Sequence, residues 1–142
     1  MAASSPAPIA ELQPRARCHV IRHKGVDIVV IDLAHTSPEE AIPIMEAAGV
    51  LITRFPLKSV RAFTDGRGAV YSKQSFAALK DFTIKNTPHI LASAVIGTDG
   101  LRAAAFRAVA LVTGRNIRPF TERLAALDWL ADVPDHPPSY AT

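Results

Sequence analysis

The sequence has 142 residues, 49% of them hydrophobic, so it can bury one ordinary core but is too short for two standard domains. Its formal net charge of +3 comes from 16 basic and 13 acidic residues without a strongly basic cluster, and 6% of residues are aromatic, which argues against nucleic-acid binding. A single cysteine, Cys18, excludes an intrachain disulfide and a cysteine-based zinc site, and no apolar run reaches the ~18 residues of a membrane span. We expect a cytoplasmic, single-domain protein.

Both ends of the chain are rich in proline. Residues 1–16 lack the charged start and continuous apolar stretch of a secretory signal, and Glu11 with three prolines up to Pro14 argues against an amphipathic transit helix. Prolines in residues 134–142 cannot continue a helix. We therefore expect disordered tails at 1–16 and 134–142, with one folded α/β domain at 17–133.

The first predicted element is an antiparallel hairpin. Residues 18–22 form its first strand, 23–25 its turn and 26–33 its second strand. Four consecutive β-branched residues at 28–31 predict that the second strand is buried on both faces, as in the interior of a sheet.

A helix follows the hairpin. Ser37-Pro38-Glu39-Glu40 has the pattern of a capping box, in which the serine oxygen accepts from the amide three residues on and Glu40 reaches back. Pro43 has no backbone N–H and so removes one hydrogen bond of the helix, which predicts either a kink in the helix or a start one turn later. The apolar positions at helical spacing are Ala41, Ile44, Met45, Ala48, Leu51, Ile52 and Phe55.

Three further units each pair a short apolar strand with a helical segment. The strands are predicted at residues 60–64, 89–96 and 116–120. The first of the three helices is predicted to begin at Ser72, the second to span residues 99–113, and the third to follow Thr121, which is its expected N-cap. The core positions expected on the second and fourth helices are Phe76, Leu79, Phe82, Thr83, Leu124, Leu127, Trp129 and Leu130.

The alternation of strands and helices predicts the fold class. Helices long enough to cross back over a sheet imply parallel strands, so the loops after the strands gather along one edge. We expect an α/β fold with a small mixed sheet, an N-terminal antiparallel hairpin followed by parallel strands, and about four helices.

The element order and a set of short motifs resemble the SpoIIAA-like group of the STAS superfamily over about residues 17–133. The motifs are Thr64-Asp65-Gly66, Ala78-Leu79-Lys80-Asp81-Phe82, Ala92-Ser93-Ala94-Val95-Ile96-Gly97, Gly114-Arg115-Asn116 and Ala126-Leu127-Asp128-Trp129-Leu130. The resemblance implies a small α/β fold with a four- or five-stranded mixed sheet, related to anti-anti-sigma factors and to the cytosolic domains of anion transporters, and similar in outline to CRAL-TRIO lipid carriers. It implies a fold more than a function, because most members of the group have no known role.

Regulatory members of the superfamily carry a phosphorylatable serine in an Asp-Ser-Ser-Gly-like motif after a strand. The matching residues 65–68 keep Asp65 and a glycine but have Arg67 and no hydroxyl at the expected position. Ser72 and Ser75 follow, where a phosphate would gain from the helix N-terminus and from Arg67. Helix capping by Ser72 is the simpler interpretation.

A second candidate is the turn at residues 97–100. Its amides, with Thr98 and the nearby Arg102, are able to hold an anion, although the glycine spacing fits neither a dinucleotide fingerprint nor a Walker loop. A glycine turn with a helix cap explains the same residues without a ligand. Histidine spacing suggests no metal site, and no cofactor is expected.

Two function classes follow. The first is a non-enzymatic regulatory or protein-interaction module that docks a protein partner or a like subunit along residues 65–75. The alternative is a small-molecule domain that binds a lipid or an anion at the C-terminal strand ends. Phe106, predicted opposite the buried face of the 99–113 helix, is a candidate for a homodimer interface. No nucleophile with a base is recognisable, so an enzyme is not expected.

Overall fold

A computed structural model describes residues 14, 16–98, 103, 107, 108, 110, 111 and 113–135. Five strands form one mixed sheet, and their order in the sheet is their order in the chain: β1 (Cys18–His23), β2 (Val26–Asp32), β3 (Val60–Asp65), β4 (Ile90–Ile96) and β5 (Ile117–Phe120). β1 pairs with β2 antiparallel, and β2 to β5 pair in parallel. The predicted α/β class and mixed sheet are confirmed.

Three helices have defined bounds in the described chain: α1 (Pro38–Ile52), α2 (Lys73–Asn86) and α3 (Arg123–Asp132). A short 3₁₀ turn at Thr87–His89 follows α2. In the segment 99–113, which the sequence predicts as a helix between α2 and α3, the described residues are also helical. They are Ala103, Arg107, Ala108, Ala110, Leu111 and Thr113.

The sheet has a hydrophobic cluster on each face. Val29 and Ile31 of β2 belong to the cluster under α1 and α2, whereas Ile28 and Val30 belong to the cluster under α3. Successive side chains of a strand point to opposite faces, so the β-branched run of β2 fills both layers. The prediction that this strand is buried on both faces is confirmed.

The hairpin turn is shorter than predicted. Lys24 and Gly25 have positive φ angles of 49° and 84°, which is the conformation of a two-residue type I′ turn, and His23 is the last residue of β1. The turn is tied to α3, because Asp128 lies 2.7 Å from His23 Nε2 and 3.1 Å from Lys24 Nζ.

The first helix begins where the sequence predicts. Glu40 N donates to Ser37 Oγ over 3.2 Å and Ser37 N donates to Glu40 Oε1 over 2.9 Å, so both halves of the capping box form. The predicted delay at Pro43 is wrong, since α1 starts at Pro38 and contains Pro43. Thr53 caps the helix, which leaves Phe55 beyond its end.

The prediction for the closing helix needs two corrections. Its N-cap is Glu122, without a side-chain cap bond, rather than Thr121. Leu124 is 62% exposed, because the buried stripe is formed by Ala126, Leu127 and Leu130. At 3.6 residues per turn, position 124 lies about 110° from the centre of that stripe.

The predicted tails lie mostly outside the described residues. Pro14 and Ala16 are helical, and Pro134 and Asp135 are described after α3. The buried Arg61 donates through Nη2 to Val133 O (2.8 Å) and to Asp135 Oδ1 (3.1 Å), which holds the chain against β3 just past the predicted end of the domain. In the described chain, no helix is both long and apolar enough to cross a membrane.

A buried and an exposed leucine of α3 give a matched test of this packing. Leu130 is 0% exposed in the cluster under the sheet, so Leu130→Ala removes buried apolar surface and should lower the free energy of unfolding by about 2–5 kcal/mol. Leu124→Ala, on the exposed side of the same helix, should change it by no more than about 0.5 kcal/mol. Urea denaturation measures both, and equal losses would contradict the assigned stripe.

Candidate functional site

The loops that leave β2, β3 and β4 meet at one edge of the sheet. Backbone amides connect them: Leu33 N donates to Asp65 O (2.8 Å), His35 N to Arg67 O (2.8 Å), and Gly66 N to Ile96 O (2.9 Å). This is the edge at which parallel strands of an open α/β sheet place their ligands. The expectation that these loops gather is confirmed.

Asp65 and Arg67 form a closed ion pair in the loop after β3. Asp65, 5% exposed, accepts from Arg67 N (3.1 Å) and Arg67 Nε (3.0 Å) through Oδ1, and from Arg67 Nη2 (2.7 Å) through Oδ2. Burial acts to raise the pKa of Asp65, but the hydrogen bonds and charge of Arg67 outweigh it and leave the pKa below its ordinary value. The guanidinium group of Arg67 is therefore already paired with a carboxylate, although its side chain is 59% exposed.

Gly97 allows this loop to pack against the end of β4. Its φ is +84°, and a Cβ at this position would lie 2.4 Å from Arg67 N and 2.6 Å from the carbonyl carbon of Gly66. A side chain does not fit there, so the Asp65–Arg67 turn depends on a glycine across the edge.

Ser72 and Ser75 cap α2 reciprocally. Ser75 N donates to Ser72 Oγ (2.9 Å), and Ser72 N donates to Ser75 Oγ (2.8 Å). Ser75 is fully buried, whereas Ser72 is exposed. The geometry agrees with the helix-cap interpretation, and phosphorylation of either serine stays a prediction.

A cavity of about 470 Å³ lies over β4 and β5, which we call the β4–β5 cavity. Its walls are formed mainly by apolar side chains. The described lining residues are Val95, Thr98, Ala103, Arg107, Ala110, Leu111, Gly114, Arg115, Ile117 and Pro119. Of the predicted anion turn, Thr98 is in the wall. Arg102 and Phe106 lie outside the described residues.

Arg115 lies between this cavity and α2. Its Nη1 donates to Thr83 O (2.9 Å) and its Nη2 to Ser93 Oγ, while Nε is enclosed without an acceptor among the described residues. Burial lowers the pKa of Arg115 to about 10, so the side chain still carries its charge at neutral pH. In the part of the chain that the structure describes, no carboxylate pairs with it.

In the sequence, Arg115 stands out only as part of the motif Gly114-Arg115-Asn116, and nothing there indicates that its side chain lies in a cavity wall. Its two acceptors lie 32 and 22 residues earlier in the chain, so no local spacing signals the contact. Among the described residues, no group of three or more histidine, cysteine or carboxylate side chains is arranged to hold a metal ion.

Comparison with known proteins supports the fold. The chain is similar to a crystal structure of an uncharacterized protein of the DUF3478 family with a SpoIIAA-like fold from Shewanella loihica, with a TM-score of 0.56 and 23% identity over 80% of this chain and 91% of that chain. No family model and no curated protein matches the sequence. The SpoIIAA-like fold expected from the resemblance is confirmed.

The ion pair in the loop predicts how the Asp65 carboxyl titrates. In Arg67→Ala the groups that lower its pKa are largely lost while burial remains, so the pKa of Asp65 should rise. Carboxyl-detected NMR titration measures it, with Arg22→Ala at the exposed Arg22–Asp27 pair as the control that leaves Asp65 unchanged.

The same pair makes stability depend on pH. A carboxyl whose pKa is lowered by folding stabilises the protein above its unfolded pKa, about 3.9, and loses that contribution as pH falls through the folded pKa. The difference in unfolding free energy between wild type and Arg67→Ala should therefore be present at pH 7 and shrink as pH falls through the raised pKa of Asp65 in the variant and then through its lowered pKa in the wild type. A difference independent of pH would contradict the assigned pair.

Proposed function

We propose that this chain, which has a SpoIIAA-like fold, is a non-enzymatic binding module that holds a small organic molecule in the β4–β5 cavity. The observation that carries the proposal is the cavity itself. Its volume of about 470 Å³ is within the range of small-molecule sites, roughly 300–1,000 Å³, and such sites are mostly apolar with a few polar groups.

The position of the cavity supports ligand binding. Val95 of β4 and the paired Pro119 of β5 form its floor, and Thr98 stands where β4 ends, so the cavity reaches the carboxyl edge of the parallel strands. Leu111 in the opposite wall is 85% exposed. A bound organic molecule would cover this leucine and remove apolar surface from water.

Cys18 is held as a buried structural thiol rather than as an activated nucleophile. Burial and the charge of Asp32 raise the pKa of Cys18 to about 12 against the opposing effect of Arg17, and Cys18 Sγ donates to Ile44 O. A thiol in this state is not a nucleophile at neutral pH. The chain contains no other cysteine.

A regulatory or protein-interaction role is a second candidate and concerns another surface. Arg67, Val70 and Ser72 are exposed on the 65–75 segment, whose backbone is fixed to its neighbours by bonds such as Val70 N to Thr36 O (2.9 Å). A preformed segment with exposed side chains suits a docking partner, because little ordering entropy is lost on binding. The homodimer and the cytoplasmic location stay predictions.

Filling the cavity tests the proposal. Wild-type protein should bind the neutral dye Nile red with an increase in fluorescence. Ala110→Trp places a large ring in the cavity wall and should weaken this binding at least tenfold, whereas Ala108→Trp, an exposed position of the same helical segment, should not.

Circular dichroism and melting temperature show that each variant is folded. Ala103→Trp, in the same wall, replaces Ala110→Trp if the latter does not fold. Failure of the wild type to bind the dye, or equal binding by folded wall and surface variants, would overturn the proposal.

A further inference from the structure

We infer that the ligand of the β4–β5 cavity is an amphipathic organic anion whose carboxylate pairs with Arg115 and whose apolar body lies along Val95, Ile117 and Leu111. This inference rests on the proposed function and names the chemical class that the site selects.

The charged residues in the described part of the cavity wall are both cationic. Arg107 and Arg115 are the charged residues among its described lining, and no acidic residue accompanies them. Two cations beside low-dielectric apolar walls attract an anion more strongly than the same cations would in open solvent. An anionic ligand would bring to these guanidinium groups a counter-charge that the described lining does not supply.

Arg115 differs from the arginines that form salt bridges in the described chain, of which Arg22 pairs with Asp27 at the surface. Arg17 pairs with Asp32, Arg67 with Asp65, and the buried Arg61 reaches Asp135. Among the described residues, both acceptors of Arg115 between α2 and β4 are neutral, namely Thr83 O and Ser93 Oγ. In that part of the chain, this half-buried charge has no carboxylate partner of the kind that buried cations usually have.

The end of α2 compensates part of this charge. Thr83 belongs to the last turn of the helix, where the carbonyl groups carry about half a negative charge in total. The carbonyl also accepts from Thr87 Oγ1 (2.8 Å), so Arg115 shares it. Two of the five N–H groups of the guanidinium are used in these bonds, which leaves donors and net positive charge for an anion.

The remaining walls define the rest of the ligand. Val95, Ile117 and Pro119 lie on the face of the sheet opposite Arg118 and Phe120, which contact Trp129 of α3. An inorganic anion would use the arginines and leave this apolar floor uncovered. A hydrocarbon body with one carboxylate matches both parts of the cavity.

Matched ligands test the inference in the full-length protein. Octanoate and 1-octanol share an eight-carbon body and differ in charge, and isothermal titration at pH 7 should show octanoate binding at least tenfold more tightly to the wild type, as a charge-assisted hydrogen bond to Arg115 predicts. In Arg115→Met the preference should disappear while 1-octanol binding persists. Arg118→Met, on the other face of the same strand pair, should keep the preference.

A measurement on the wild type covers the case in which Arg115→Met fails to fold. The ¹⁵Nε resonance of Arg115 should shift on addition of octanoate and not on addition of 1-octanol. Equal affinity for both ligands, or no shift with the acid, would overturn the inference while leaving the proposed function in place.

Two other outcomes separate the claims. Competition by inorganic phosphate as effective as that by octanoate would show a simple anion site and overturn the amphipathic class. Failure of octanoate, 1-octanol and Nile red alike would overturn the proposed function itself.

Discussion

Parallel pairing of β2 to β5 in chain order is the constraint on which the rest of the structure depends. Each connection between neighbouring parallel strands must be long enough to cross the sheet. When successive connections have the same handedness and move in the same direction across the sheet, their helices all lie on one face. α1 and α2 accordingly share one hydrophobic cluster, and the opposite face is left for α3. Without α3, the inner side chains of β2, β3 and β4 on that face, including Phe63, would meet water.

The loops at the two edges of the sheet differ in charge: residues 65–67 follow β3 at the carboxyl edge, whereas Arg115 precedes β5 at the amino edge. After β3, Asp65 and Arg67 neutralise each other within three residues, and Gly97 lets that turn close against β4. Before β5, Arg115 extends between α2 and β4 to neutral acceptors and faces a cavity. Among the described residues, the first loop pairs its charges and the second does not, and a ligand is therefore proposed for the second.

Local sequence signals predicted most of the fold. The β-branched run of β2, the capping box at Ser37 and the N-cap at Ser72 act within a few residues of their own position, so each could be recognised in advance. The cap at Glu122 and the exposure of Leu124 were missed, because the angle at which α3 docks on the sheet decides which of its residues are buried. Arg115 was missed as a site residue for a related reason, since its partners meet it only after α2, β4 and β5 have assembled. Long-range packing therefore determines the candidate site, while local chemistry determines the elements around it.

Native mass spectrometry of freshly purified protein tests the central claim most directly, because it asks whether the cavity holds a molecule without choosing that molecule in advance. If the cavity holds such a molecule, the spectrum should show a mass above that of the 142-residue chain, and denaturation should release the extra mass as a small organic acid. Ala110→Trp purified in the same way should lack this extra mass. A bare chain mass after gentle purification, together with no uptake of octanoate added to the same sample, would contradict the central claim.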